Sequence, residues 1–300
     1  MKTKVIVLVL CLSLLAAIFA GCGRSGGDER TIVIAGKSWS EPQIMVEVYA
    51  QLIEAKTDLT VERIMDLAST IAFDATVLGE THIYPGYTGT MLMYYLAEVI
   101  EPHTSAQEIV DRTKAGLLAE FDLVLLPHAG FQNNYGIAIY GPLAREHGIV
   151  TISDLIPFAP ELTFGGEHGF FDRLDGFYEM AAFYGIEFGN TVMMDVGLKY
   201  QSFAQGIMEV FVVYTTDSQI PDHDVVILED DLHFFPIYFL HPVVRRDTLE
   251  QFPEIGEALS VLDGILTEED MIRYNRLVDS GQLSVAAAAT KLIEEFGLLR

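Results

Sequence analysis

From residue 31 onwards the sequence alternates short β-branched runs with segments that have the apolar spacing of helices. TIVIA (31–35) is followed by Ile44 and Val48 at helical spacing, and later β-rich runs cover 210–214 and 234–244. Strands that alternate with helices indicate an α/β architecture with mostly parallel sheets. The residues after position 30 are numerous enough to build one large domain or two lobes.

Capping residues mark several predicted helix starts. Ser40 is expected to cap a helix, with Pro42 in its first turn and Gln43 closing a capping box. Near the C-terminus, Thr267 precedes Glu-Glu-Asp and predicts one helix start, and Ser284 predicts the next. The tail is therefore expected to be helical.

The first 22 residues have the layout of a secretory signal peptide. Two lysines precede an almost wholly apolar stretch (5–20), which is short for a membrane span and ends in Gly-Cys at Cys22. A polar Gly/Ser/Arg segment (23–30) follows as a flexible tether. The cysteine resembles that of a bacterial lipobox, which implies lipid attachment to Cys22. An ordinary signal peptide with an incidental cysteine is the alternative.

Composition and absent motifs argue against several functional classes. The two cysteines, Cys11 and Cys22, leave the mature domain without a disulfide, a catalytic thiolate or a thiolate metal site. A formal net charge of −25 argues against nucleic-acid binding, which needs a basic surface. The sequence has no P-loop, GxGxxG, HExxH or GxSxG motif. It therefore predicts no enzyme activity, no catalytic residues, no cofactor and no metal.

Residues 84–90 (YPGYTGT) compress a strand end, a turn and a helix start into seven positions. Their backbone N–H groups and threonine hydroxyls, placed beside an aromatic ring, would suit an anion such as a carboxylate. An ordinary turn with core tyrosines is the alternative interpretation.

This motif is one of several that together resemble the substrate-binding proteins of osmoprotectant ABC importers, which bind glycine betaine, proline betaine, carnitine or choline. The others follow in the same order: FQNNY (131–135), FDRLDG (171–176), LKYQ (198–201) and LEDDLHFFP (228–236). The resemblance covers residues 31–299. It implies a periplasmic-binding-protein-like (type II) fold, with two α/β lobes, a ligand cleft and two crossover segments.

The resemblance also implies the domain boundaries. A signal peptide (1–21) and a lipidated tether (22–30) precede the binding domain. Residues 31–130 and 230–300 are expected to form lobe 1, which is discontinuous in sequence. Residues 131–229 are expected to form lobe 2.

The family holds a trimethylammonium group in a box of tyrosines, and the matching positions are Tyr87, Tyr135, Tyr214 and Tyr238. A quaternary ammonium cannot donate a hydrogen bond, so only ring faces and shape can hold it. Each ring face contributes roughly 0.5 to 2 kcal/mol. The chemistry therefore agrees with the roles that the resemblance implies.

At the opposite end of the ligand, Arg173 matches the family position that clamps a carboxylate, and Lys37 and Thr90 match further contacts. An ion pair of Arg173 with Asp172 or Asp175 is the alternative. Arg173 favours a zwitterion over choline, which has no carboxylate.

The implied protein is an extracytoplasmic, lipid-anchored monomer that binds glycine betaine or a relative and passes it to an ABC permease and ATPase. Choline, carnitine or ergothioneine as ligand, or a ligand-sensing surface lipoprotein, are the alternatives. The sequence departs from the family pattern at Trp39, Gly86, Val212-Val213 and Ser218-Gln219. These departures leave the tyrosines intact and the exact ligand open.

Overall fold

The computed structural model describes residues 30–101, 103–173 and 175–300. The predicted signal peptide, Cys22 and all but the last residue of the tether lie outside the described residues. Within those three ranges, no helix combines the length and the apolar character needed to cross a membrane.

Within the described residues there are two five-stranded sheets, and the first takes its strands from residues 31–125 and 240–245. It contains β1 (Thr31–Lys37), β2 (Thr60–Leu67), β3 (Ile83–Tyr87), β4 (Leu123–Leu125) and β10 (Leu240–Arg245). Their order is β2-β1-β3-β10-β4. β1 pairs in parallel with β2 and β3, and β10 runs antiparallel to β3 and β4.

The second sheet is built from the middle of the chain. It contains β5 (Tyr135–Tyr140), β6 (Thr163–Glu167), β7 (Asn190–Met194), β8 (Val210–Tyr214) and β9 (Val225–Leu228). Their order is β7-β6-β8-β5-β9, and only β5 runs against its neighbours. In each sheet the antiparallel strand is the one that the chain enters from the other sheet. The predicted α/β architecture is therefore confirmed, but the sheets are mixed, because two of the four strand pairings in each sheet are antiparallel.

Helices cover the faces of both sheets. Those beside the first sheet are α1 (Ser40–Lys56), α2 (Ser69–Leu78), α3 (Thr88–Thr90), α4 (Ala106–Phe121), α10 (Arg246–Gln251), α11 (Glu254–Leu259), α12 (Glu268–Asp279) and α13 (Val285–Glu295). Those beside the second are α5 (Gly141–His147), α6 (Ile152–Leu155), α7 (His168–Phe171), α8 (Phe177–Tyr184) and α9 (Lys199–Ala204). α3 continues into a π-helical turn, Met91–Tyr95.

Each sheet has hydrophobic cores of its own, a larger and a smaller one. Ile34 and Ile44 belong to the larger core beside the first sheet, and Ile137 and Phe164 belong to the larger core beside the second. Tyr135 packs against both of these larger cores. Separate cores make two lobes, which confirms the predicted fold class. Lobe 1 denotes the first sheet with its helices, and lobe 2 the second sheet with its helices.

The two C-terminal helix starts form as their local patterns predict. Thr267 caps α12 in a capping box with Asp270, and the Ser284 hydroxyl accepts a hydrogen bond from the Ala287 N–H at the start of α13. These caps need partners only three residues away, so the sequence pattern alone specifies them.

The capping box predicted at Ser40 is wrong. α1 begins at Ser40, its N-cap residue is Trp39, and no side chain caps it. The Ser40 hydroxyl donates to Asp279 of α12, and the Gln43 amide donates to Asp66 of β2 at 2.7 Å. Tertiary partners have taken the side chains that the local pattern assigned to the cap.

The apolar run 234–244 is also shorter as a strand than its composition indicates. Only its second half lies in β10, and residues 229–239 cross between the lobes. The Thr88 hydroxyl donates to the Ile237 carbonyl and accepts from the Phe239 N–H. Thr88 therefore holds this crossing segment, and its hydroxyl is not the free anion donor that residues 84–90 suggested.

Candidate functional site

A cavity of about 960 Å³ lies where the carboxyl ends of parallel strands from both lobes meet. Open α/β sheets bind ligands at this end of their strands. All seven residues predicted to bind a ligand line the cavity: Lys37, Tyr87, Thr90, Tyr135, Arg173, Tyr214 and Tyr238.

Three of the four tyrosine rings meet in one corner of the cavity. Tyr135 and Tyr214 are register partners on β5 and β8, with ring centroids 5.3 Å apart. Tyr238, from the crossing segment 229–239, stands edge-on to Tyr135, with ring centroids 6.1 Å apart. Tyr87 comes from the end of β3 in lobe 1. The corner therefore combines rings from lobe 2 and from a crossing segment, while the fourth ring belongs to lobe 1.

Gly89 explains how Tyr238 reaches its position. A Cβ atom on Gly89 would lie only 2.5 Å from Cε1 of the Tyr238 ring. The ring thus packs directly on the backbone of the YPGYTGT segment, and only glycine leaves room for it.

Arg173 faces an acidic neighbour. Its Nε and Nη2 atoms each donate to Asp175 at 2.6 Å, and Asp175 also accepts from the Tyr238 hydroxyl. The guanidinium carbon lies 5.7 Å from the centroid of Tyr135. The alternative ion pair therefore forms, while the same guanidinium still lines the cavity.

Lys37 presents a buried ammonium to the cavity, with 3% of the residue exposed. Its Nζ atom lies 4.6 Å from the ring centroid of Tyr87 and 5.4 Å from that of Trp39. No hydrogen bond or ion pair of this ammonium occurs among the residues that the structure describes. Burial lowers the pKa of Lys37 to about 7, and the nearby Glu41 carboxylate partly opposes this shift.

Glu41, which the sequence analysis did not identify, is the centre of a buried hydrogen-bond network. Its Oε1 atom accepts from the Tyr87 hydroxyl at 2.5 Å and from the Asn133 amide at 2.9 Å. Its Oε2 atom accepts from the Asn275 amide at 3.3 Å. Burial raises its pKa. An acidic residue in the first turn of a helix is common, so no sequence signal distinguished it.

Glu167, at the end of β6, is a second cavity residue that the sequence analysis missed. It is 7% exposed, and neither carboxylate oxygen has a hydrogen-bond partner in the described parts of the chain. Its place after a Gly-Gly strand and before His168 carried no recognisable motif.

The lobes also touch beside the cavity. The Asn275 amide of α12 donates to the Thr216 carbonyl at 3.0 Å, and the Ser218 hydroxyl donates to Asp279 at 2.5 Å. These hydrogen bonds join lobe 1 to the segment that follows β8, so the two lobes are in contact on this side.

Two of the departures from the family pattern reach the cavity and two do not. Trp39 and Ser218 line it, whereas Gly86 and Val212-Val213 do not. A Cβ atom on Gly86 would lie 2.7 Å from Cγ2 of Val243, so no larger side chain has room there. In residues 30–101, 103–173 and 175–300, no group of three His, Cys, Asp or Glu residues is arranged to hold a metal ion.

The sequence of the chain is similar to a known family and to known proteins. Residues 30–295 match a family model described as the substrate binding domain of ABC-type glycine betaine transport system. The chain is 30% identical to the carnitine transport binding protein OpuCC of Listeria monocytogenes, covering 98% of this chain and 97% of that one.

A second relative and a solved structure agree with this match. The chain is 30% identical to an ergothioneine transport permease/ergothioneine binding protein, EgtU, of Helicobacter pylori, covering 97% of this chain but only 52% of that protein. The crystal structure of a glycine betaine/carnitine/choline ABC transporter superposes with a TM-score of 0.80 at 28% identity, covering 90% of this chain and all of that one.

Proposed function

Because the chain belongs to the family of substrate-binding domains of ABC-type glycine betaine transport systems, we propose that it is an extracytoplasmic monomer that binds a quaternary ammonium compound. It passes this ligand to the permease and ATPase of an ABC importer. The observation that carries the proposal is that four tyrosines from both lobes and a crossing segment line one cavity.

The chemistry of the tyrosines supports this ligand class. Four ring faces at roughly 0.5 to 2 kcal/mol each supply a large part of the roughly 8 kcal/mol that micromolar binding needs. Burial raises the pKa of Tyr87 and Tyr238 well above the usual range, so both rings stay neutral. A ligand that touches rings from both lobes stabilises the closed arrangement more than an open one.

Two cationic groups suit the carboxylate of a betaine. Lys37 has no anionic partner within hydrogen-bond distance among the described residues, and the Nη1 atom of Arg173 is outside its two bonds to Asp175. Thr90 adds a hydroxyl to the same cavity. We propose that these three side chains contact the ligand carboxylate.

Ligand titration tests the proposed function directly. Trp39 is the only tryptophan in the chain and lines the cavity, so ligand binding is expected to change its fluorescence. Saturable binding of glycine betaine, choline, carnitine or ergothioneine should also raise the melting temperature, because a ligand at 100 times its Kd adds about 2.7 kcal/mol. A Trp39→Phe variant should lose the fluorescence signal and keep the thermal shift. If none of the four ligands changed the fluorescence or the melting temperature, the proposed function would be refuted.

The binding of a carboxylate ligand is expected to weaken as the pH rises above 7. In the ligand-free protein, Lys37 loses its proton near this pH. A bound ligand carboxylate favours the protonated ammonium and so raises the pKa of Lys37. The affinity for glycine betaine should therefore fall by up to about tenfold per pH unit until the pKa of the complex is reached. The measurement is calorimetric titration between pH 6 and about pH 9.

Choline is the matched control for this pH dependence, because it has no carboxylate. Its profile also reports any titration of the neighbouring Glu41. A Lys37→Met variant should flatten the glycine betaine profile. Identical profiles for glycine betaine and choline in the wild-type protein would contradict the contact between Lys37 and the carboxylate.

Removal of Arg173 should weaken the binding of glycine betaine more than that of choline. Arg173→Ala alone leaves the Asp175 carboxylate, which is 3% exposed, without its cationic partner. The informative comparison is therefore Asp175→Asn against the double variant Arg173→Ala/Asp175→Asn. Between these two variants, fluorescence titrations should show a loss of affinity that is about tenfold larger for glycine betaine than for choline. Equal losses would rule out the carboxylate contact.

We also propose that the protein is anchored through a lipid on Cys22, which lies outside the described residues. A Cys22→Ala variant should no longer be found in the membrane fraction and should not be labelled with palmitate. Cys11→Ala, inside the predicted signal peptide, is the control and should stay membrane-bound. Undiminished membrane association of Cys22→Ala would exclude the anchor.

A further inference from the structure

Glu167 brings an unpaired negative charge to the wall of the cavity. The residue is 7% exposed, and both of its carboxylate oxygens lack a hydrogen-bond partner in the described parts of the chain. It is the N-cap residue of α7, yet its side chain makes no capping hydrogen bond. A buried carboxylate without partners is costly, so this side chain contributes little to the fold as it stands.

The neighbouring groups do not relieve this charge. Arg173 uses two N–H groups on Asp175. The Tyr214 phenol is near enough for the carboxylate charge to affect it: burial raises the pKa of Tyr214, and Tyr135 and Glu167 raise it further. The Tyr214 hydroxyl comes near enough to Glu167 to act as a donor, but its geometry in this structure is not that of a hydrogen bond, so both carboxylate oxygens are left without a partner in the described parts of the chain. The cavity therefore offers a strong acceptor beside two of the tyrosines.

Glycine betaine does not suit this acceptor. Its trimethylammonium group has no N–H, and its carboxylate only accepts hydrogen bonds. A quaternary ammonium compound with a hydroxyl or a ring N–H does suit it, because a donor to a buried carboxylate makes a strong, charge-assisted hydrogen bond. The volume of about 960 Å³ leaves room for such a group beyond the trimethylammonium.

We propose that Glu167 accepts a hydrogen bond from an O–H or N–H group of the ligand. The site thereby selects quaternary ammonium compounds that carry such a donor over glycine betaine. This inference rests on the proposed function, since it assigns a further contact within the same cavity.

The test is calorimetric titration of the wild-type protein and of Glu167→Gln with four ligands. Glycine betaine has no donor, choline and carnitine carry a hydroxyl, and ergothioneine carries ring N–H groups. We expect a donor-bearing ligand to bind the wild-type protein about tenfold or more tighter than glycine betaine. Glu167→Gln should lose about tenfold for that ligand and less than about threefold for glycine betaine. The comparison of choline and carnitine with ergothioneine shows whether a hydroxyl or a ring N–H group donates to Glu167.

Glu209→Gln is the matched control. Glu209 lies beside the same sheet, does not line the cavity, and accepts a hydrogen bond from the Thr163 N–H at 2.9 Å. It should leave all four affinities unchanged. The melting temperature of ligand-free Glu167→Gln should equal or exceed that of the wild-type protein, because the substitution removes an unpaired buried charge.

Several outcomes would overturn the inference. Equal losses for glycine betaine and the donor-bearing ligands would make Glu167 a counter-charge for the ammonium. Unchanged affinities of Glu167→Gln would show that Glu167 does not contact the ligand. A lower melting temperature of the ligand-free variant would indicate a structural role. Tightest binding of glycine betaine by the wild-type protein would refute the selectivity alone, whereas no binding of any of the four ligands would refute the proposed function as well.

Discussion

Tyr135→Ala is expected to weaken the binding of a quaternary ammonium ligand by about tenfold or more. The Tyr135 ring is central to the aromatic corner: it lies 5.3 Å from Tyr214, 6.1 Å from Tyr238 and 4.9 Å from Phe170. Its removal takes away one ring face and the support of two others. Fluorescence titration with the tightest of the four ligands measures the loss.

Tyr135→Phe is the matched control, since it keeps the ring and removes only the hydroxyl. It should stay within about threefold of the wild-type affinity if the ring face does the binding. Similar affinities for the alanine and phenylalanine variants would contradict a contact through the ring face.

Glu41→Ala is expected to lower the free energy of unfolding by about 3 kcal/mol or more. The substitution leaves the Tyr87 hydroxyl and the Asn133 and Asn275 amides without their acceptor at a site where Glu41 is 1% exposed. It also removes the carboxylate that raises the pKa of Lys37. Urea unfolding followed by circular dichroism measures the change.

Two variants on the same helix make this result interpretable. Glu41→Gln keeps one acceptor oxygen for Tyr87 and Asn133, so its loss should be less than that of Glu41→Ala. Glu47→Ala removes a more exposed carboxylate, 3.5 Å from Arg63, and should cost less than about 1 kcal/mol. If Glu41→Ala lowered the free energy of unfolding no more than Glu47→Ala does, the hydrogen-bond network would not stabilise the fold.

Much of the fold was predictable because its signals are local. Strand and helix periodicity extends over a few residues, and the caps at Thr267 and Ser284 bind backbone N–H groups three positions along. The predictions failed where a distant partner intervened. Ser40 and Gln43 have the residue types of a cap, but their side chains contact Asp279 and Asp66 instead.

The candidate site divides in the same way. Resemblance named seven residues, and all of them line one cavity. The sequence left open whether Arg173 pairs with Asp172 or Asp175 or contacts the ligand, and the structure shows the pair with Asp175. Nothing in the pattern indicated that Lys37 has no anionic partner among the described residues. Glu41 and Glu167 were missed because burial, which makes each of them important, has no local sequence signature.

By itself, the sequence determined the α/β alternation, the C-terminal helix starts and the tyrosines at the positions of a cation-binding family, because these features depend on residue type and short-range spacing. Tertiary structure alone decided that Glu41 joins Tyr87 of β3 to Asn275 of α12, which lies 234 positions from Glu41, and that Glu167 faces the cavity unpaired. The physical reason is desolvation: a carboxylate at a helix start or a strand end is ordinary in water, and becomes decisive only when the fold removes water and determines which donors remain.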